Sequence, residues 1–531
     1  MNISRRQFLN FIGQTSAISV ISPSLISLSG CSSSPNEDPS FDGIPPSFDD
    51  KLTLADGMEY NIIAKWGDRL NQKGDIFGCH NDFNCFLPID NKADEGLLWV
   101  NHESVIPEFV HNKETAKLSR SVSEIMAEQE LVGGSILHIK KKENKWTLVK
   151  NSEYNRRLHG RSRIPFSHNY KIQGSHIAVG TIANCSGGIT PWKTFLTSEE
   201  NYDGFYGDID FEKGKRTFID VKKHRWHKQF PLPPEHYGWV VEVDPWTGVA
   251  KKQVLLGRAP HEGATTVLTK DKKAVVYMGE DRANGYIFKF ISTGNHFEEG
   301  TLYAADTLRG KWLPLDINQS PQLKKHFNTQ LEVLTYSHKA AKIVGATPQD
   351  RPEDIEIDPR TNNIFIALTK NADKNNFYGG ILKIKESGDF NSLSFKSDIW
   401  LNGGLTSNFA CPDNFTIDRK GNLWMTVDMS EKEVGKAHYK KFGNNGLFYI
   451  PLSGKGAGIP IQVASAPVDA EFSGPWFSPD NKTLFLSVQH PGSSARKNLK
   501  KQTSTWPDGE GKLPKSAVIA IQGSLIESLT S

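Results

Sequence analysis

The sequence predicts an all-β fold arranged as an elaborated β-propeller, and three observations predict it. From about Leu52 onward, short alternating apolar segments such as Tyr237-Gly-Trp-Val-Val-Glu-Val-Asp244 and Gly285-Tyr-Ile-Phe-Lys-Phe290 are bounded by Gly, Pro, Asn and Asp. Alternate residues of a strand face opposite sides, so this grammar reads as strand and turn. One hairpin also recurs: Ile357-Asp358-Pro-Arg-Thr-Asn-Asn-Ile-Phe-Ile-Ala-Leu, Ile417-Asp418-Arg-Lys-Gly-Asn-Leu-Trp-Met-Thr-Val and Ser478-Pro-Asp480-Asn-Lys-Thr-Leu-Phe-Leu-Ser-Val. In each, a strand ends at Asp, a tight polar turn follows and a second apolar strand begins. Thirdly, helical periodicity is scarce and confined to inserts such as 120–129 and 320–326.

The repeated aspartates fall 60 and 62 residues apart, and Thr269-Lys-Asp271 begins a fourth copy, 87 residues before Asp358, with an insertion at 309–342 filling the excess. A period of about sixty exceeds the ~40–50 residues of compact propeller repeats but suits four-stranded blades with long loops on one face. A sandwich or two barrels would use the same strands, because repeats alone do not fix closure.

Composition excludes several function classes. With 63 Lys+Arg against 60 Asp+Glu the net charge is +3, too small for a nucleic-acid scaffold; 37% hydrophobic residues are too many for a disordered chain, and five cysteines are too few for a disulfide framework. Ser4-Arg5-Arg6-Gln7-Phe8-Leu9, followed by a mildly apolar run to Gly30, reads as a twin-arginine export signal, and Leu28-Ser29-Gly30-Cys31 as a lipobox. An ordinary secretory signal or a short anchor is the alternative; Pro23 and the polar residues of the run argue against a membrane span. The expected organisation is a signal peptide at 1–30, a flexible tether at 31–50 and one propeller domain at 51–531. Removing the signal leaves 61 basic against 60 acidic residues, with no field for polyanions. If the source is Gram-negative, Ser32 in place of Asp after the lipid-bearing cysteine favours the outer membrane. Cys79 and Cys85 are spaced for a disulfide closing a short loop, while Cys185 and Cys411 are isolated and suited to a thiolate metal ligand.

In a propeller the innermost strands converge on a central channel, which gives the acidic residues their meaning. Glu353 and Asp413 each stand five residues before a repeated Asp, so equivalent blade positions aim two carboxylates at one axis. Glu280-Asp281, Asn371, Asp428 and Gln489-His490 end the second strands near the same place. Carboxylates gathered in one pocket stay ionised only when hard cations or arginines offset their charge. One soft donor, Cys185, would add a transition metal. No zinc ribbon, HExxH, EF-hand, phosphate-binding Gly loop or G-x-S-x-G elbow is present.

Taken together, Phe77-Gly, Asn81-Asp82-Phe83, Val100-Asn-His-Glu103, Asn155-Arg-Arg157, Asn184-Cys-Ser-Gly-Gly-Ile-Thr-Pro-Trp192 with Glu199-Glu200, His261-Glu-Gly-Ala264, Tyr277-Met-Gly-Glu-Asp-Arg282, Arg351-Pro-Glu-Asp354, Cys411-Pro-Asp-Asn414 and Gln489-His-Pro-Gly492 resemble, in order, the PhoX-type alkaline phosphatase family. The motifs span 77–492. The resemblance implies a six-bladed β-propeller with long loop and small helical insertions, exported by the twin-arginine machinery. It also implies hydrolysis of small phosphate esters at an iron–calcium (Fe3+, Ca2+) cluster for phosphate scavenging.

Carried over by motif, Cys185 would be an iron-bound thiolate, Glu262 and Glu353 carboxylate ligands, Asp413 and Glu280 calcium ligands, and Arg351 the phosphate contact, with Arg351, Glu353 and Glu262 the catalytic set. Glu103, Asn184, Glu199, Glu200 and Asp281 would line the site. His102 and His261 read as structural histidines rather than acids for the leaving group. The departures are Lys193, where the family commonly has Gly, Glu280 in place of Asp, and a segment between Arg157 and Thr181 that is short and lacks the family's Gly-rich phrasing; Lys193 would reshape the pocket. Expected partners are phosphate esters and the export machinery, with no nucleic acid and with membrane attachment only through a lipid. The expected product is a monomeric periplasmic or outer-membrane-anchored lipoprotein. Two other readings stand beside this one. Pro412-Asp413-Asn414 with Asp418-Arg-Lys-Gly-Asn-Leu-Trp424 is also similar to gluconolactonase-type blades, implying a calcium-dependent lactonase or esterase; a non-enzymatic binding propeller is the third.

Overall fold

Six antiparallel sheets of four or five strands form the blades of a closed propeller, the six-bladed architecture that the resemblance implied. The computed structural model describes residues 41–221 and 223–530. The expected signal peptide, the lipobox with Cys31, and residues 31–40 of the expected tether lie outside these residues. The innermost strands are, in blade order, Asn81–Pro88, Asn184–Ile189, His261–Leu268, Pro352–Ile357, Pro412–Ile417 and Glu471–Phe477. Each packs on the next, and the last packs on the first, so the ring is complete.

Both chain ends make that closure. Glu59–Lys65 pairs with Ala517–Gln522 as the outermost strand of blade six, and Thr53–Leu54 extends blade five through Ile461–Ser465. A ring sealed in this way leaves only short, protected edges. Residues 41–50 of the expected tether dock on the same seam. The Phe41 ring lies 6.0 Å from that of Tyr449, the Ile44 amide donates to Gln462 O at 2.8 Å, and the Asn444 amide donates to Ser47 O at 2.7 Å.

The repeated hairpin joins the first two strands of blades three to six, and its aspartate recurs because it satisfies the turn. Asp418 accepts from the Asn422 amide at 2.9 Å and from Trp424 Nε1 at 2.9 Å; Asp358 accepts from the Arg360 amide at 3.0 Å and Thr361 Oγ1 at 2.8 Å; Asp480 accepts from Ser478 Oγ at 2.6 Å. Side chains capping backbone in this way replace hydrogen bonds that the strands cannot supply at a turn. These turns also link blade to blade: Arg360 Nη2 donates to Gly421 O at 2.6 Å, and the Arg419 amide donates to Asn481 Oδ1 at 2.8 Å. Blades one and two turn through Asp90-Asn91 and Thr190–193 without this pattern, so the sequence displays only four copies.

The expected insert helix at 120–129 is Val122–Leu131, begun by a Ser121–Glu124 capping box. The insertion in blade three carries a 3-10 turn at Pro321–Lys325 and helices Gln330–Thr335 and Ser337–Val344. Among the described residues no helix is long and apolar enough to cross a membrane.

Asp418→Ala is expected to strand the Trp424 indole N–H, the Asn422 backbone N–H and the Asn422 side-chain amide in a buried turn, lowering unfolding stability by about 1–3 kcal/mol in urea titration. An unchanged midpoint would show that the turn does not need its cap.

Candidate active site

The two strands of each inner hairpin run antiparallel, so the start of the first strand and the end of the second meet at one mouth of the ring. All six inner strands are bulged, five of them from the first or second residue and the sixth further along, with register shifts at Asn81/Asn84, Asn184/Gly187, Glu262/Thr265, Pro352/Ile355, Pro412/Phe415 and Ser473/Trp476. Bulges break the strict alternation of a strand and re-aim side chains. Four non-glycine residues just ahead of these strands are also left-handed: His80 (φ 48°), Ala183 (φ 53°), Arg351 (φ 55°) and Cys411 (φ 55°). Such a conformation costs on the order of 1 kcal/mol each and persists only where surrounding structure imposes it.

The result is a cleft of about 310 Å³ at the axis. Asp82, Cys185, Glu353, Asp413 and Glu471 line it from the inner strands, and Glu103, Glu200, Asp281, Asp428 and Gln489 from the ends of the second strands. Glu262 is fully buried behind this lining. It belongs to two groups whose ligand atoms lie within 4.8 Å of one another: Cys185, Glu200 and Glu262, and Glu262, Glu353 and Asp413. Both carboxylate oxygens of Glu262 and Oε1 of Glu200 are buried without a hydrogen-bond partner among the described residues. Buried carboxylate oxygens left bare in this way fit cations.

Electrostatics point the same way. Burial, then Glu353, Glu200 and Asp413, pushes Glu262 well above the carboxylate range. Burial, then Asp281, does the same to Glu353 and Glu200; for Asp413 the causes are burial and Glu353, and for Glu471 burial and Asp428. Asp82 is pushed up to about 7 by burial and Glu103, against hydrogen bonds from Ser473 and Cys185. Burial, then Asp82 and Glu262, raises the Cys185 thiol. Arg351 is the counterweight, donating from Nε and Nη2 to the two oxygens of Asp281 at 2.6 Å each and standing 2.9 Å from Glu353 Oε1. Against burial, it holds Asp281 below the usual carboxylate range.

Several expected site residues lie elsewhere. Glu280 does not line the cleft: His338 Nδ1 stands 2.9 and 3.0 Å from its two oxygens, and the Tyr286 amide donates to it at 3.0 Å. Its neighbour Asp281 faces the cleft instead. Glu199 forms a buried ion pair with Lys252 Nζ at 2.6 Å and accepts from the Gly238 and Trp239 amides. Asn184 braces the bulge of its strand, donating to Thr181 Oγ1 and Thr197 Oγ1 at 2.8 Å each, and so turns Cys185 inward.

Lys193 is exposed in the turn between the strands Asn184–Ile189 and Phe195–Glu199, at the far end of that hairpin, so it does not reshape the pocket. Cys79 and Cys85 are free thiols in separate core clusters, with no disulfide between them. Cys411 is buried with its sulfur 3.6 Å from the Tyr439 hydroxyl. His102 and His261 are buried and hydrogen-bonded, to Asn81 and Ser135 and to Gly257 O respectively.

Asp82 and Glu471 received no role from the sequence. Asp82 is the second residue of its inner strand, as Cys185, Glu262, Glu353 and Asp413 are of theirs, and that shared position is the signal that would have found it. Glu471 begins its strand, whose bulge falls later, so the offset hides it.

A closed propeller whose axial cleft gathers one thiol and many buried carboxylates defines a metal-dependent propeller enzyme. The family model described as alkaline phosphatase PhoX matches residues 40–492, and the chain belongs to that family of phosphoric ester hydrolases. It is similar to Pseudomonas fluorescens PhoX, solved in complex with vanadate, a transition state analogue, at 27% identity over 91% of this chain and 98% of that one, with a TM-score of 0.80. Weaker likenesses, to a Dyadobacter fermentans protein of unknown function (9% identity, 88% and 100% covered, TM-score 0.39) and to the calcium structure of a Trichoderma reesei carbohydrate-active enzyme of family AA12 (9%, 73% and 96%, 0.25), carry no weight. No curated protein matches the chain in sequence.

Because folding raises these pKa values, metal-free protein binds more protons folded than unfolded. The stability these groups contribute is complete below their ordinary range, near 4, and is lost as pH rises, through about 7 for Asp82, with Glu262, Glu353 and Asp413 shifted in the same direction by burial and by one another. Thermal melts of chelated protein are therefore expected to fall from mildly acidic to alkaline pH. Glu262→Gln is expected to raise the alkaline value by about 1–3 kcal/mol while weakening cation binding; a destabilised metal-free variant would contradict this.

Proposed function

We propose that the chain is an exported phosphatase that hydrolyses small phosphate esters at a cluster of iron and calcium ions, in the service of phosphate scavenging. The observation that carries this reading is Glu262, whose two bare buried oxygens are shared between a group containing the thiol of Cys185 and a group made only of carboxylates. Sulfur with carboxylate suits iron, and oxygen donors alone suit calcium. Cys185, Glu200 and Glu262 would hold the first, and Glu262, Glu353 and Asp413 the second, with Asp82 and Glu471 within the same field. When bound, such cations supply Lewis-acid charge to a phosphoryl group and make water a stronger nucleophile.

The chain's own residues then orient and balance. Arg351 has Nε and Nη2 on Asp281, which leaves Nη1 to meet a phosphoryl oxygen and offset charge developing there. Asp281 fixes that guanidinium, and Thr369 Oγ1, donating to Glu353 Oε1 at 2.6 Å, fixes Glu353. A serine nucleophile is poorly supported: Ser104 Oγ stands 3.2 Å from His224 Nε2, but His224 Nδ1 has no partner, so no acid orients the ring. Export rests on Arg5-Arg6 and lipid anchoring on Cys31, both in the sequence outside the described residues. The monomeric, periplasmic or outer-membrane lipoprotein reading is part of the same proposal.

The test is turnover of a chromogenic phosphate monoester by metal-loaded protein, with elemental analysis alongside. Cys185→Ala is expected to lose iron and activity together, and Arg351→Ala to lower kcat/KM by about 10²–10³-fold. Full activity in Cys185→Ala with calcium alone would overturn the iron site, and protein that binds calcium but no iron and turns over no phosphate ester would overturn this reading in favour of a calcium-dependent lactonase or esterase.

A further inference from the structure

The mouth of the cleft carries the opposite charge to its floor. Lys117, Lys223, Lys432 and Arg496 line it. Each stands on a segment that follows the second strand of its blade. Lys117 lies between helices Pro107–Val110 and Val122–Leu131 in blade one, and Lys223 follows the hairpin Asp208–Glu212/Lys215–Ile219 in blade two. Lys432 follows Asn422–Val427 in blade five, and Arg496 lies on Ser493–Lys497 in blade six. Arg351 comes from blade four, so this collar is a separate group of cations.

Its charge is not neutralised from within. Among the described residues the ammonium groups of Lys117, Lys223 and Lys432 have no hydrogen-bond or ion-pair partner, and only Arg496 is tied, to Glu431 Oε1 at 2.8 Å. The other rim acid, Glu108, is buried. Burial and then Arg496, with Lys223 and Lys432, push Lys117 below its ordinary value against the pull of Glu108. His224, which lines the same mouth and is 4% exposed, has a buried Nδ1 with no partner among the described residues. In a chain of net charge +3, four cations from four blades at one opening are a local concentration. Like charges held together raise the free energy of the empty site and lower it when an anion arrives. At about 310 Å³ the cleft also exceeds the volume of one phosphoryl group, which fills roughly the space of two or three waters at ~30 Å³ each.

We propose that this collar is a second anion subsite, and that the preferred esters carry a second phosphoryl group, as sugar bisphosphates and nucleotides with several phosphates do. The ester to be cleaved reaches the carboxylate floor while the distal phosphate sits among Lys117, Lys223 and Lys432. This rests on the phosphatase reading above.

The experiment compares kcat/KM of the metal-loaded enzyme for an alkanediol bisphosphate and for the matching monophosphate. The bisphosphate is expected to be favoured by about 3- to 100-fold, which is three exposed charge pairs at ~0.2–1 kcal/mol each, with ~1.4 kcal/mol per factor of ten. In the combined Lys117→Gln, Lys223→Gln, Lys432→Gln variant that preference collapses toward one through a rise in KM for the bisphosphate, and Lys432→Gln alone gives a partial collapse. Lys193→Gln, at the far end of the propeller, leaves both substrates unchanged. Turnover of the monophosphate with no bisphosphate preference, or an equal fall for both esters in the variants, overturns the subsite and leaves only a steering field. Turnover of neither ester overturns the phosphatase reading and the subsite with it.

Discussion

Carboxylates in a buried space repel each other and resist ionisation, and the rest of the site follows from that constraint. Asp82, Glu200, Glu262, Glu353, Asp413 and Glu471 are all buried and close to the same axis, with Arg351 as the guanidinium among them. One guanidinium cannot offset six carboxylates and a thiol. Bound cations would supply the remaining counter-charge, and their binding free energy would offset the cost of so acidic an arrangement in the folded chain.

The fold generates this arrangement by repetition. Six blades present six strand starts to one axis, and in five of them the second residue of the strand is a potential ligand: Asp82, Cys185, Glu262, Glu353 and Asp413. Bulges and left-handed residues at the strand starts divert these side chains from blade packing into the cleft. The closing strands Glu59–Lys65 and Thr53–Leu54, far from the chemistry in sequence, matter because an open ring would not hold ligands from blades one and six against each other. Asp82 shows the dependence directly, for its partners Ser473 and Gln489 lie across that closure.

Much of this was legible in the chain because repetition is visible as spacing. The Asp358, Asp418 and Asp480 turns exposed the hairpin, and counting five residues back exposed Glu353 and Asp413. Blades one and two were not legible in that way, since their turns use other residues, and Asp82 went without a role although its position matches the others. Glu280 shows the opposite failure: a motif neighbour of Asp281 faces the other side of its strand, and only the contact with His338 decides which of the two carboxylates reaches the axis. Charge at the mouth was illegible too, because Lys117, Lys223, Lys432 and Arg496 are scattered over 380 residues of a chain that is balanced overall.

The most direct measurement is a metal titration of chelator-stripped protein, following phosphate monoester turnover and melting temperature in the same samples. Turnover that appears only as calcium and iron are restored, in step with a rising melting temperature, is the result expected if cations are what the carboxylate cluster exists to hold. Full turnover with less than one bound metal ion per chain would contradict it.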